Sequence, residues 1–142
     1  MIDKIFIDTN ILVYLFDKTE RQKQTKAKKI ISERLSSSKF FLSVQVINEF
    51  INITSKKISF PIPLNKQKEI IDLLNDIFII ASLSLETTLS AIEIKNKYKY
   101  SFWDSLIISS AIENKCNILF SEDMQHGSIV ESTLTIVNPF EK

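Results

Sequence analysis

Five short apolar runs, separated by longer segments of helical periodicity, constrain the fold of this 142-residue chain more than any other feature. The runs are residues 5–8, 40–43, 77–81, 118–121 and 134–137. They largely lack alternation of polar and apolar residues, as expected for strands that are covered on both faces. Strands alternating with helices are typical of a parallel sheet flanked by helices, and we therefore predict an α/β fold.

The segments between these runs predict six helices. A short helix is expected after Asn10, and the others are expected at about residues 21–35, 44–57, 65–75, 86–97 and 104–114. The polar segment 124–133 contains the only glycine, Gly127, and predicts an irregular loop before a final edge strand.

Composition sets the class of protein. The length predicts one domain over residues 1–142, and 44% hydrophobic with 25% charged residues fits a globular protein. The single Cys116 permits no internal disulfide and suggests a reducing compartment, where it would be a small buried residue. Neither a secretory signal nor a run of about 18 apolar residues is visible, so a cytoplasmic protein with no membrane segment is expected.

Four acidic residues stand where apolar segments end or are interrupted: Asp8, Glu49, Asp104 and Asp123. Asp8 and Asp123 follow the first and fourth predicted strands, and open α/β sheets bind ligands outside the carboxyl ends of their strands. Carboxylates are the ligands that Mg²⁺ and Mn²⁺ prefer, and such ions activate water for phosphodiester hydrolysis. Without a cation, clustered carboxylates would repel one another and raise some of their pKa values.

Each acid also has a structural interpretation. Asp8 suits a helix cap, and Asp104 closes the capping-box pattern that begins at Ser101. Glu49 shares a helical row with residues 45, 52 and 56, which is typical of a solvated face. After the fourth strand either Glu122 or Asp123 is available, although period-2 geometry puts Asp123 on the side of Ser121.

Four segments together resemble the signatures of PIN-domain nucleases. They are FIDTNIL (6–12), VINEF (46–50), FWDSLI (102–107) and LFSED (119–123). The resemblance covers essentially the whole chain and implies a three-layer α/β/α sandwich with a parallel sheet of order 3-2-1-4-5. It implies that the four acids form a catalytic site for Mg²⁺ or Mn²⁺. By position, the supporting polar residues would be Thr9, Asn10 and Ser121.

The resemblance also implies a function. The family cleaves RNA, and many of its small bacterial members are VapC-type toxins held inactive by an antitoxin. A compact chain of this kind looks most like that toxin branch, for which a homodimer is also expected. The basic segment 18–29 is then either an RNA-attracting rim, with Lys23, Lys26 and Lys28 as candidate contacts, or a solvated helix face. Phe102 and Trp103 are interpreted as packing residues rather than as base-stacking platforms.

Two alternative functions stay open from the sequence. A phosphoacceptor receiver domain has a similar length and an acidic Mg²⁺ pocket, but it requires an aspartate after the third strand, and residues 79–84 contain none. A PIN nuclease that processes RNA without being a toxin would share every motif described above.

Overall fold

The computed structural model describes residues 2–141 and shows an α/β fold around one six-stranded sheet. The strands are β1 (Asp3–Ile7), β2 (Ser38–Ser43), β3 (Ile79–Ala81), β4 (Ile118–Phe120), β5 (Ile129–Val130) and β6 (Leu134–Val137). The helices are α1 (Thr9–Tyr14), α2 (Arg21–Arg34), α3 (Val44–Lys56), α4 (Leu64–Ile77), α5 (Leu85–Tyr98) and α6 (Phe102–Glu113).

The strand order is β3-β2-β1-β4-β6-β5, with every pair parallel except β5 and β6. Taken without β5, this order is the one predicted for five strands. The chain moves from β1 outward to β3 and then returns to the other side of β1. Right-handed crossovers therefore place α1 to α4 on one face of the sheet and α5 with α6 on the other. Consistent with this, α1 packs against α2 and α3, and α5 packs against α6.

The reversal of winding direction next to β1 opens a crevice at the carboxyl ends of β1 and β4. β1 is the most deeply buried strand, since Ile5, Phe6 and Ile7 have no exposed surface. Burying each of these side chains contributes about 2 kcal/mol to stability. Consecutive buried residues of this kind confirm that helices cover both faces of the sheet. The crevice therefore opens at the end of the best-anchored strand.

β5 corrects one sequence prediction. Residues 124–133 are not wholly irregular, because Ile129–Val130 pairs antiparallel with β6 and so takes the edge position predicted for the last strand. The two strands are joined by a turn in which Glu131 and Ser132 both have positive φ, at 50° and 60°. Such turns usually carry Asn or Gly, and this one has neither, so no hairpin signal is visible in the sequence.

The predicted helices are all present, with small shifts at their ends. α4 continues to Ile77, so the third strand begins two residues later than predicted. At the start of α3, Val44 is exposed, whereas Val46 and Phe50 are buried. Cys116 is buried, and burial raises the pKa of its thiol to about 12. Across residues 2–141, no helix has the length and apolar character needed to cross a membrane.

Candidate active site

Asp8 lies at the carboxyl end of β1 and is only 6% exposed. Its Oδ1 accepts a hydrogen bond of 2.7 Å from the Thr9 backbone N–H, which makes Asp8 the N-cap of α1. Its Oδ2 accepts a hydrogen bond of 2.8 Å from the Ser121 hydroxyl. Burial raises the pKa of Asp8 to about 6, with smaller contributions from the charges of Asp104 and Glu49, against the lowering effect of these two hydrogen bonds. Asp8 therefore both caps α1 and lies in the crevice.

Glu49 reaches the crevice from the middle of α3. The helix starts at Ser43, whose hydroxyl accepts a hydrogen bond from the Val46 N–H and so fixes the first turn. Glu49 Oε1 accepts a hydrogen bond of 2.6 Å from the Thr9 hydroxyl. Gln45, one turn earlier in the same polar row, is buried. The solvated-face interpretation is therefore wrong for this half of the row.

Asp104 enters from the first turn of α6, on the opposite face of the sheet. Ser101 is the N-cap, since its hydroxyl accepts a hydrogen bond of 3.1 Å from the Asp104 N–H. Partial burial raises the pKa of Asp104, the charges of Asp123 and Glu49 raise it further, and hydrogen bonding with Ser101 opposes the change. The Asp104 carboxylate thus interacts with the capping residue Ser101 and also with the charges of the other acids.

Asp123 and Glu122 follow β4 and point to different places. Asp123 lines the crevice, where its Oδ2 accepts a hydrogen bond from the Asn10 side-chain amide. Glu122 instead accepts hydrogen bonds from Lys23 at 2.6 Å and from the Tyr14 hydroxyl at 2.5 Å. Burial favours a higher pKa for Glu122, but these two hydrogen bonds outweigh it and lower the pKa. Of the two acids, only Asp123 belongs with the crevice.

The crevice is a cleft of about 270 Å³. Its lining residues are Asp8, Thr9, Asn10, Glu49, Asn52, Ile53, Lys57, Asp104, Ile107 and Asp123. It therefore brings together all four acids named from the sequence, with two of the three supporting residues. Ser121, the third, lies behind the cleft and contacts it through Asp8.

The carboxylates are close in space but do not form a ready-made metal cage. Within residues 2–141, no group of three acidic, histidine or cysteine side chains is already arranged to hold an ion. Instead, three of the four carboxylates accept hydrogen bonds from neutral side chains. Asp8 accepts from Ser121, Glu49 from Thr9, and Asp123 from Asn10. The donor set nevertheless fits a hard divalent cation, since it consists of oxygen ligands and two of its acids have pKa values raised partly by mutual repulsion.

The lysines proposed for RNA lie elsewhere. None of Lys23, Lys26 and Lys28 lines the cleft. Lys23 forms an ion pair with Glu122 and lies 4.9 Å from the centre of the Tyr14 ring. The pKa of Lys23 is raised, and the largest cause is its hydrogen bond to Glu122. Lys26 is exposed and lies 3.5 Å from the Phe140 carbonyl oxygen, and Lys28 is also exposed.

Two features of the site were missed or misread in the sequence. Lys57 lines the cleft although no motif contains it; the only signal was its spacing of eight residues from Glu49, which is close to two helical turns. Trp103 is 61% exposed, so the packing interpretation is wrong for it, while Phe102 is half-buried and contacts the Trp103 ring edge-on. Gln45 donates a hydrogen bond to the Trp103 carbonyl oxygen and ties α3 to the start of α6.

Comparison with known proteins gives a family and a fold. A family model described as PIN domain matches residues 5–129. No curated protein sequence matches the chain. A toxin–antitoxin complex from Klebsiella pneumoniae is similar in structure, with a TM-score of 0.70, 20% identity, and coverage of 97% of this chain and 99% of that chain.

Two further solved structures are similar. VapC20 of Mycobacterium tuberculosis, a toxin that cleaves the sarcin–ricin loop, has a TM-score of 0.66 and 15% identity over 84% of this chain and 91% of that chain. VapBC2 of Rickettsia felis, bound to a DNA fragment from its promoter, has a TM-score of 0.64 and 18% identity over 84% and 88%. At these identities the similarity shows the fold.

Proposed function

Since this chain belongs to the PIN domain family, we propose that it is a Mg²⁺- or Mn²⁺-dependent endoribonuclease and the toxin of a toxin–antitoxin pair. The observation that carries the nuclease proposal is the convergence of Asp8, Glu49, Asp104 and Asp123 on one cleft. Four carboxylates in one cleft destabilise one another, so a cleft of this kind is suited to bind a cation.

These four residues would hold the ion. The chemistry that a bound Mg²⁺ or Mn²⁺ supplies is a water of lowered pKa and compensation for the negative charge that develops on the phosphate. Asp8 is fixed by two hydrogen bonds and by burial at the end of β1, so it defines the base of the site. Thr9 orients Glu49 and Asn10 orients Asp123 from the first turn of α1.

The exposed surface supports the proposal of a homodimer. Leu85, Leu89 and Ile92 lie on one side of α5 at helical spacing and are 72%, 49% and 52% exposed. Trp103, at the start of the neighbouring helix α6, is another large exposed apolar side chain. The three exposed apolar side chains that share one side of α5 are typical of a protein interface. We assign this surface to a second copy of the chain.

The proposal of an antitoxin partner is supported by structural relatives that are themselves toxin–antitoxin complexes. A second set of exposed apolar residues consists of Phe60, in the loop between α3 and α4, and Leu64, the first residue of α4, on the other face of the sheet from α5. A partner on that side would leave the α5 surface available for the second copy.

The nuclease is tested first by its dependence on metal. The purified chain is incubated with a mixed RNA pool, and we expect cleavage with Mg²⁺ or Mn²⁺, loss of cleavage in excess EDTA, and recovery when Mn²⁺ is added. Mapping the cut ends then identifies the substrate sequence. The Asp104→Asn variant, purified in the same way, controls for contaminating nucleases. Undiminished cleavage in excess chelator would refute the metal mechanism.

The toxin role has its own test. We expect expression of the chain alone to arrest growth and the Asp104→Asn variant to be tolerated. Co-expression with the neighbouring reading frames should relieve the arrest, and one of their products should co-purify. Light scattering of the complex then shows whether it contains two copies of the chain. A harmless chain that cleaves RNA in vitro would instead indicate a PIN nuclease of RNA processing.

A further inference from the structure

Lys57 is the one basic side chain among the ten residues that line the acidic cleft in the described part of the chain. It follows α3 as the C-cap, and its backbone N–H donates a hydrogen bond of 2.8 Å to the Ile53 carbonyl oxygen. Nothing in the metal chemistry described above requires a cation at this position. Its presence in a cleft with four acids therefore calls for another explanation.

The helix geometry fixes where Lys57 lies relative to the acids. Glu49, Ile53 and Lys57 are spaced by four residues and line the same cleft, so one side of α3 forms this wall. At a rise of 1.5 Å per residue, the Lys57 backbone lies about 12 Å along the helix axis from that of Glu49. Lys57 is thus at one end of the cleft rather than among the carboxylates.

The ammonium group has no fixed partner. Within residues 2–141, Lys57 forms no ion pair with a carboxylate, whereas Lys23, Lys29, Lys66 and Lys97 all do. Its ordinary explanation is attraction to the negative end of the α3 dipole. Lys56, in the last turn of the same helix, has the same attraction without lining the cleft. The dipole therefore does not account for the direction that Lys57 takes.

RNA that enters this cleft brings a phosphate charge at every nucleotide. A bound divalent ion would compensate the scissile phosphate, but the flanking phosphates would still face a wall rich in carboxylates. A lysine about 12 Å along α3 from Glu49 lies too far out to share the metal and is placed to meet such a flanking phosphate. We propose that Lys57 binds an RNA phosphate next to the scissile one and thereby sets the direction in which the strand crosses the cleft. This inference rests on the proposed ribonuclease function.

The test compares Lys57→Gln with Lys56→Gln, two adjacent variants with the same change of charge. For Lys57→Gln we expect KM to rise about tenfold near 0.1 M salt with kcat nearly unchanged, because the contact is with a part of the substrate that does not react. The slope of log KM against log salt should fall by about 0.7, the value for one contact to a single strand. Lys56→Gln should match the parent, and Lys57→Arg should restore most of the affinity.

A modified substrate locates the contact. Once the cut site is mapped, oligonucleotides that carry a single uncharged methylphosphonate at each flanking position are compared. The penalty of Lys57→Gln should disappear for one position only, as in a double-mutant cycle. Equal KM and salt slope for the two lysine variants in an active enzyme would overturn the role of Lys57 alone. A parent chain that cleaves no RNA with any divalent metal would overturn the ribonuclease proposal and this role with it.

Discussion

Asp104→Asn is expected to lower kcat/KM for RNA cleavage by at least about 100-fold, equivalent to about 2.7 kcal/mol of transition-state stabilisation. The variant loses one of the four carboxylates that would hold the ion. It should keep the start of α6, because Ser101 is the N-cap and its hydroxyl accepts a hydrogen bond from the backbone N–H of residue 104, which the substitution leaves in place. Cleavage assays at saturating Mn²⁺ measure the loss.

Stability separates this result from a folding defect. In EDTA, Asp104→Asn should melt at the temperature of the parent or above it, since the raised pKa of Asp104 marks a carboxylate whose charge is disfavoured there. Mn²⁺ should stabilise the parent more than the variant, because only binding to the folded state raises stability. Asp72→Asn, an exposed change on α4, serves as the charge-matched control. Full activity in a folded Asp104→Asn protein would remove Asp104 from the site.

Asp8→Asn is expected to stabilise the metal-free protein in a strongly pH-dependent way. The Asp8 pKa is about 6 in the folded protein against an ordinary value of 3.8. Between these values the folded state binds more protons than the unfolded state. The contribution of Asp8 to stability is therefore most favourable below about pH 4, falls as the pH rises to about 6, and stays low above that. The full difference corresponds to about 3 kcal/mol.

Asparagine is neutral at every pH and keeps an oxygen for the Thr9 N–H, while the Ser121 hydroxyl can rotate to accept from its amide. Urea unfolding in EDTA should therefore show the variant equal to the parent near pH 4 and more stable by up to about 3 kcal/mol at pH 8. Saturating Mn²⁺ should shrink or reverse this advantage. A difference that is constant from pH 4.5 to 8 would show that Asp8 is not held in a charged, buried state.

The fold could be predicted because its strands correspond to short apolar runs in the sequence and because chain chirality fixes how they connect. The positions of Asp8 and Asp123 followed from the same logic, since Asp8 comes directly after β1 and Asp123 comes three residues after β4, at the point where the winding reverses. β5 could not be predicted because a strand of two residues carries almost no periodic signal. Its turn uses Glu131 and Ser132 in a conformation that most sequences assign to Asn or Gly.

The side-chain environments were less predictable than the backbone. The direction of Glu49 depends on how α3 packs against α1, and its polar row looks the same whether it faces water or a polar cleft. The partnership of Lys23 with Glu122 joins residues 99 positions apart, and no local pattern encodes such a pair. Trp103 is predicted to be a packing residue because large aromatic side chains usually are, but most of its side chain is exposed in the described part of the chain.

The two edges of the sheet limit how the molecule can associate. β3 has three residues and β5 has two, so each edge offers only a few unpaired backbone groups to an incoming strand. Short edges of this kind are one of the ways in which β-proteins avoid growth of a sheet by strand addition. Copies of this chain are therefore expected to associate through helix surfaces. There, side-chain contacts rather than backbone pairing between strands determine which partner binds.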